Sequence, residues 1–116
     1  MKLCDIKTSL KCQLISLDDF DPDIDIQFAY ASDLMSDILV AVKPGSLLLT
    51  GLTNNQVIRT SKVAATSAIV FVRDKKPNAE TIKLAEQYNI PLLATRLSMF
   101  DACGILFANG VKGISR

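Results

Sequence analysis

Two short apolar runs, separated by one stretch of helical length, constrain the fold of this chain more than any other feature. Residues 46–50 read SLLLT and residues 68–72 read AIVFV. Continuous apolar runs of this length, bounded by turn residues, indicate buried strands. Small and medium apolar residues recur at helical spacing over residues 57–65. Because such a crossover is right-handed and leaves its two strands parallel, the runs predict a β-α-β unit.

The same alternation continues toward the C-terminus. Asn78 is placed to cap a second helix, and Asn89 is placed to end it in the left-handed conformation. A short apolar strand follows over residues 92–95, and Ser98 with Asp101 three residues later predicts the start of a last helix. The residues that we expect to face inward on that last helix are Met99, Phe100, Cys103, Leu106 and Phe107.

The first 40 residues predict two further strands and two further helices. We expect a short helix over residues 6–10, a strand over 12–16 and a strand over 26–31. A helix then begins at Ser32-Asp33, where one stripe holds Leu34, Ile38 and Val42 and another holds Asp33 and Asp37. The whole pattern predicts one three-layer α/β domain over residues 1–116, with a mainly parallel sheet of about five strands flanked by helices.

The residue types exclude several classes of function. The chain has no histidine, which excludes Ser-His and Cys-His nucleophile pairs and most zinc sites, so an autonomous enzyme has the least support. The formal net charge of +1 argues against a nucleic-acid-binding protein. Three cysteines without a CxxC pair indicate a reducing compartment. With no signal peptide or membrane-spanning run in the sequence, we expect a cytoplasmic protein that does not contact membranes.

Acidic and basic residues are unevenly distributed along the chain. Residues 1–40 contain eight aspartates and three lysines, whereas residues 41–116 contain ten basic and four acidic residues. One interpretation is a solvated acidic loop over residues 18–25, because runs of charge are usually exposed. The other interpretation is a complementary interface, within the chain or between subunits.

The segments that leave the strand ends carry the candidate ligand-binding groups, because open α/β sheets bind ligands at the carboxyl ends of their strands. The glycine before the helix of the β-α-β unit presents free backbone N–H groups that suit a carboxylate or a phosphate. Plain capping of that helix by Thr53, with Gln56 three residues later, is the competing interpretation. The candidate residues are Ser32, Asp33, Asp37, Thr50, Gly51, Thr53, Asn54, Asn55, Arg73 and Arg96.

Two of these candidates, Asp33 and Asp37, are four residues apart on the predicted helix. Paired carboxylates can bind Mg²⁺ or exchange protons, but acids also stabilise the first turn of any helix. No third acidic ligand is identifiable, so the sequence predicts neither a metal site nor a cofactor. Cys103 is expected to be a buried packing thiol because no base lies beside it.

Five segments carry a resemblance to a known family. They are residues 30–39 (YASDLMSDIL), 47–54 (LLLTGLTN), the strand at 68–72, residues 90–93 (IPLL) and residues 98–104 (SMFDACG). In these segments, which extend over nearly the whole chain, the sequence resembles the DRTGG-domain family, and most closely stand-alone proteins related to the N-terminal domain of HPr kinase/phosphorylase.

The resemblance implies an α/β domain that accompanies a catalytic module in other proteins, with the catalytic residues lying elsewhere. It also implies dimer contacts, and it implies that in some regulated enzymes adenine nucleotides bind to neighbouring modules. The family has an acidic-arginine-threonine-glycine run after its central strand. This chain has LTNN at residues 52–55 in that place, which removes the charged pair.

Two functions follow as expectations. The first is a non-catalytic regulatory domain that binds a small anionic metabolite or nucleotide at the strand ends and acts through a homodimer or a separately encoded enzyme subunit. The alternative is a pure protein-interaction or oligomerisation module without a small-molecule ligand.

Overall fold

Five helices and five strands form the part of the chain that the computed structural model describes, residues 1–16, 21–41 and 43–114. In chain order they are α1 (Leu3–Ser9), β1 (Gln13–Ser16), β2 (Ala29–Ala31), α2 (Met35–Ala41), β3 (Leu47–Thr50), α3 (Asn55–Val63), β4 (Ala68–Phe71), α4 (Ala79–Gln87), β5 (Leu92–Ala94) and α5 (Met99–Ala108). The predicted Val42 of the α2 stripe and the predicted Asp18 and Asp19 of the acidic loop lie outside the described residues.

The strands form one mixed sheet in the order β1-β5-β4-β3-β2. Strands β2, β3, β4 and β5 are parallel, as the β-α-β pattern predicted, whereas β1 pairs antiparallel with β5. The prediction of a mainly parallel sheet is therefore right in strand number and wrong for β1. Apolar periodicity identifies a strand but does not specify the neighbour with which it pairs, so the direction of this edge strand was not available from its four residues.

Helices cover both faces of the sheet. Along β3, Leu47 and Leu49 pack into a cluster that contains residues of α1 and α5, whereas Leu48 packs into a second cluster with residues of α2, α3 and α4. Every residue of β3 and of β4 is buried, which explains why their sequences are continuously apolar rather than alternating. The predicted three-layer α/β arrangement is confirmed.

The last helix differs from its prediction. Ala102 and Leu106 form its buried face, whereas Phe100 is 85% exposed and Phe107 is 74% exposed. These two phenylalanines were expected to face inward because large apolar residues normally do. After the helix, Val111 is buried, and the Lys112 N–H donates to the Gln27 carbonyl at 2.9 Å.

The acidic segment pairs with the start of the chain. The Asp25 carboxylate lies 3.3 Å from the N-terminal ammonium, and Asp23 lies 3.4 Å from Lys2 Nζ. Within the described residues, no ion pair joins the acidic first 40 residues to the basic remainder. The solvated-loop interpretation is therefore favoured over complementary pairing inside the chain.

Candidate functional site

Three neighbouring strand ends meet at one edge of the sheet, where Asp33 follows β2, Gly51 follows β3 and Arg73 follows β4. The Asp33 Oδ1 atom accepts a hydrogen bond from Thr50 Oγ1 at 2.9 Å and one from the Gly51 backbone N–H at 2.7 Å. Thr50 Oγ1 also accepts from the Leu52 N–H at 3.1 Å. We call Asp33, Thr50, Gly51 and Arg73 the strand-end rim.

The Arg73 side chain passes close to the backbone of Gly51. A Cβ atom at position 51 would lie 3.1 Å from Arg73 Nη2 and 3.5 Å from Asp33 Oδ2. The missing side chain therefore leaves room for the guanidinium beside the loop, which is the close approach that glycine allows. The rim thus holds a carboxylate and a guanidinium that both lie close to the Cβ position of one glycine.

The backbone that carries Arg73 adopts a strained conformation. Arg73 and Asp74 both have φ of 56°, in the left-handed region that residues other than glycine rarely occupy. Hydrogen bonds to the loop after β5 hold them there, since the Arg73 N–H donates to the Leu97 carbonyl at 2.8 Å and the Asp74 N–H donates to the Thr95 carbonyl at 2.7 Å. Strained, over-determined turns of this kind cluster at ligand-binding sites.

Positive charge is available at this edge of the sheet. Arg73 and Arg96 are both exposed, and neither forms an ion pair with any described residue. Lys76, by contrast, lies 3.6 Å from the Asp74 carboxylate. Arg96 belongs to the loop that is hydrogen-bonded to the Arg73 turn, so the two arginines project from adjoining loops.

The helix that follows Gly51 begins one residue later than predicted. Asn54, not Thr53, is the N-cap of α3, and its Oδ1 accepts from the Val57 N–H at 3.0 Å. The side chain of Asn55 binds α4, donating to Glu80 Oε1 at 2.9 Å and accepting from Thr81 Oγ1. These contacts fix the first helical turn at Asn55, which explains the shift. Two of the candidate amides are thereby engaged within the protein.

The predicted carboxylate pair does not form. Helix α2 begins at Met35, so Asp33 precedes it and binds the β3 loop, whereas Asp37 lies exposed on the helix itself. Ser32 Oγ accepts from the Leu34 N–H at 3.0 Å and stabilises the turn into α2. Across the described residues, no three acidic or cysteine side chains are grouped as metal ligands would be.

A second feature, which the sequence did not predict, is an apolar groove of about 370 Å³ beside α5 and the β2 edge of the sheet. Its walls include both exposed phenylalanines of α5 and the chain segment that follows the helix. We call it the α5 groove. The residues lining it are Ala29, Ala31, Leu49, Phe100, Cys103, Gly104, Leu106, Phe107, Val111, Lys112 and Gly113.

Burial makes the thiols of Cys12 and Cys103 poor nucleophiles. Burial raises the pKa of Cys12 to about 12, against a smaller opposing effect of Lys7. Burial also raises the pKa of Cys103, which is half-buried in the α5 groove. Because the thiolate is the reactive form, a raised pKa lowers the reactivity of both thiols. Cys12 and Cys103 pack against the core, and Cys103 is half-buried rather than buried as predicted.

Solved structures share this fold, and one of them shows what kind of protein contains it. It contains the CBS and DRTGG domains of the regulatory region of a Clostridium perfringens pyrophosphatase, complexed with its activator, diadenosine tetraphosphate. The two chains are 15% identical, with a TM-score of 0.72 over 90% of this chain. This chain spans 45% of the length of that structure. The likeness is one of fold, and it supports the predicted DRTGG-like domain.

The sequence matches no protein-family model and no curated protein. In the described part of the chain, no helix has the length and apolar character needed to cross a bilayer.

Proposed function

We propose that this chain is a non-catalytic regulatory domain whose strand-end rim binds a small anionic metabolite or nucleotide. The observation that carries the proposal is the exposed Arg73 guanidinium, which lies beside Gly51, belongs to a hydrogen-bonded turn and has no ion-pair partner among the described residues. An exposed guanidinium is well suited to bind a phosphate or carboxylate through paired hydrogen bonds.

The position of Asp33 determines how such a ligand would bind. Its carboxylate already accepts from the Gly51 N–H, so the loop amide is not free to hold an anion. The anionic group is therefore expected on Arg73 and Arg96. The second oxygen of Asp33, Oδ2, has no hydrogen-bond donor among the described residues and faces the same glycine. It suits a hydroxyl group of the ligand, such as those of a sugar or a ribose.

The relationship to a regulatory region supports a signalling role. The pyrophosphatase structure that shares the fold is of a regulatory region and contains a nucleotide activator. By analogy, we infer that ligand binding here is transmitted through contacts with a second copy of the chain or with a separately encoded enzyme subunit. The free cysteines fit a reducing compartment such as the cytoplasm.

Thermal unfolding in the presence of candidate ligands tests this proposal. ATP, diadenosine tetraphosphate, inorganic phosphate and citrate are the probes, each added to the full chain. A ligand at 100 times its Kd stabilises a protein by about 2.7 kcal/mol, which raises the Tm of a domain of this size by roughly 10 °C. The shift should disappear in Arg73→Gln and persist in Arg59→Gln, a control that removes an exposed arginine from α3. Unchanged melting with every probe would contradict ligand binding at the rim.

A pure interaction module is the second candidate function, and the α5 groove is the observation that favours it. Monomeric proteins rarely expose a continuous apolar surface of this kind unless a partner covers it. If the probes bind nowhere while the chain still self-associates or captures an enzyme subunit, the interaction function alone is supported.

A further inference from the structure

The solvent-facing stripe of α5 contains a glycine that the fold of one chain does not explain. Gly104 lies between Phe100 and Phe107 on the same side of the helix. A Cβ atom at this position would meet nothing within 4 Å, and the backbone φ is not in the left-handed region. Glycine destabilises the middle of a helix relative to alanine. Nothing within the chain therefore requires it.

A second backbone packed against α5 supplies a reason for this glycine, since glycine allows two backbones to approach closely. Phe100 and Phe107 project from the helix on either side of Gly104, and the α5 groove lies beside them. One patch thus contains both protruding side chains and a depression of apolar character. An interface with two-fold symmetry needs this combination, because the same surface must fit itself.

The geometry points to this patch as the contact surface between two copies of the chain, with their α5 helices antiparallel and crossing at Gly104. Phe100 is four residues before the crossing point and Phe107 is three residues after it. In an antiparallel pair, Phe100 of one copy therefore lies beside Phe107 of the other. The inference rests on the homodimer contact in the proposed function and assigns the surface that forms it.

The charges at the two ends of the patch favour the antiparallel arrangement. Asp101 is exposed in the first turn of α5, and Lys112 lines the groove beyond the last turn. Antiparallel helices place the acidic end of one copy toward the basic end of the other, whereas parallel helices place like-charged ends side by side. The dipoles of two antiparallel helices also point in opposite directions, so the positive end of each helix lies near the negative end of the other.

A stable dimer buries more area than the two phenylalanines alone supply. Such an interface buries about 800 Å² on each partner, roughly an eighth of the 6328 Å² that this chain exposes. Two phenylalanines supply about 300 Å² of it, at about 150 Å² each. In the proposed dimer, the walls of the α5 groove and the polar residues around it have to supply the remainder.

Sedimentation velocity of the full chain over a dilution series tests the surface. We expect the wild-type chain to be dimeric at high concentration. Phe100→Ser and Phe107→Ser should each raise the dimer Kd at least about tenfold, as truncation of a central interface aromatic does. Both variants should retain the helix content of the wild type in circular dichroism, because neither side chain is buried. The control is Val40→Ser, which removes a valine that is 89% exposed on α2.

Substitution of Gly104 gives a sharper test, because it is expected to leave the monomer as stable or more stable and to weaken the dimer. Gly104→Ala and Gly104→Gln should leave the Tm of the dilute monomer unchanged or higher, since both residues favour helix and the site is open. They should nevertheless weaken the dimer, and glutamine should weaken it more than alanine because its side chain is larger. A role confined to the folding of one chain predicts no effect on the dimer.

Three results would overturn the inference. The first is a wild-type chain that stays monomeric at millimolar concentration, and the second is a dimer that is lost in Val40→Ser but kept in the phenylalanine variants. The third is a dimer that Gly104→Gln strengthens. The first would assign the groove to a different partner, and the second would assign the dimer to α2. Neither result affects ligand binding at the rim, which the Arg73→Gln melting experiment measures independently. Failure of that experiment likewise leaves the dimer surface standing.

Discussion

The strand-end rim and the α5 groove are two exposed regions of one fold. They differ in whether their side chains already have partners within the chain. At the rim, Asp33 and Thr50 are hydrogen-bonded to each other and to the Gly51 backbone. In the groove, Phe100 and Phe107 project into solvent with no described residue covering them. The polar groups of the rim are paired within the chain, whereas the apolar groups of the groove are the ones that the proposed dimer would cover.

The difference indicates what each region contributes to the fold. Polar contacts at the rim link β2 to β3 and so stabilise the single chain. The exposed phenylalanines contribute little to the stability of the single chain, because burial from water is the source of apolar stabilisation. Substitutions at the rim should therefore lower the free energy of unfolding, and substitutions on the outer stripe of α5 should lower only association.

The largest expected effect comes from the two faces of α5. Leu106→Ala removes a fully packed side chain and should lower the free energy of unfolding by about 3 kcal/mol. Phe107→Ala, one position away, should change it by less than about 0.5 kcal/mol because the ring is exposed. Urea unfolding at a protein concentration below the dimer Kd measures both. Equal losses for the two variants would mean that the outer stripe is part of the core.

A second pair of variants tests the rim. Asp33→Ala removes the acceptor of two hydrogen bonds and should cost about 2 kcal/mol. Asp37→Ala is the matched control, since its exposed carboxylate accepts no hydrogen bond from a described residue, and it should change stability by at most about 0.5 kcal/mol. The same urea titration compares them. If the two aspartates behave alike, the hydrogen bonds of the rim do not stabilise the chain.

The parts of the fold that followed from sequence are those set by local signals. Asn78 and Ser98 cap α4 and α5 as predicted, because an N-cap is recognised by its own side chain and the next three residues. The buried strands followed from continuous apolar runs between turns. The convergence of Asp33, Gly51 and Arg73 followed from the rule that parallel strand ends meet at one edge.

The parts that did not follow depend on contacts between distant segments. The contact of Asn55 with α4 decides that Asn54, not Thr53, caps α3, and a local capping pattern cannot include it. The exposure of Phe100 and Phe107 depends on which face of α5 lies on the sheet. The sequence nonetheless contained one sign of an exposed stripe on α5. Phe100 and Phe107 are seven residues apart, and Gly104 lies between them on the same side of the helix.

The N-cap of α3, in the loop that follows Gly51, provides a comparison with a smaller expected effect on stability. Asn54→Ala should cost about 1 kcal/mol because it removes the acceptor for the Val57 N–H. Thr53→Ala should cost less than about 0.5 kcal/mol, since Thr53 is not the cap. Thermal melts of the two variants decide between them. A larger loss in Thr53→Ala would restore the capping box that the sequence predicted.

The smallest expected effect lies in a third region, the N-terminal segment. The pKa of Asp25 is lowered because Gln27 and the N-terminal ammonium donate hydrogen bonds to its carboxylate. A lowered folded-state pKa contributes stability above the unfolded pKa, and that contribution is lost as pH falls through the folded pKa. Urea unfolding between about pH 5 and about pH 2 should show a slightly shallower decline for Asp25→Asn than for wild type. An identical decline would show that the contact adds no measurable stability. The rim and groove variants should be compared above about pH 5, where this contribution is constant.

An amide chemical-shift titration of the isotopically labelled chain with ATP or diadenosine tetraphosphate tests the central claim most directly, because it observes both regions at once. The central claim predicts saturable shifts that are largest at Thr50, Gly51, Arg73 and Arg96, with smaller shifts along α5 where binding is transmitted to the dimer contact. Shifts concentrated along residues 99–108, or no shifts at any ligand concentration, would contradict it.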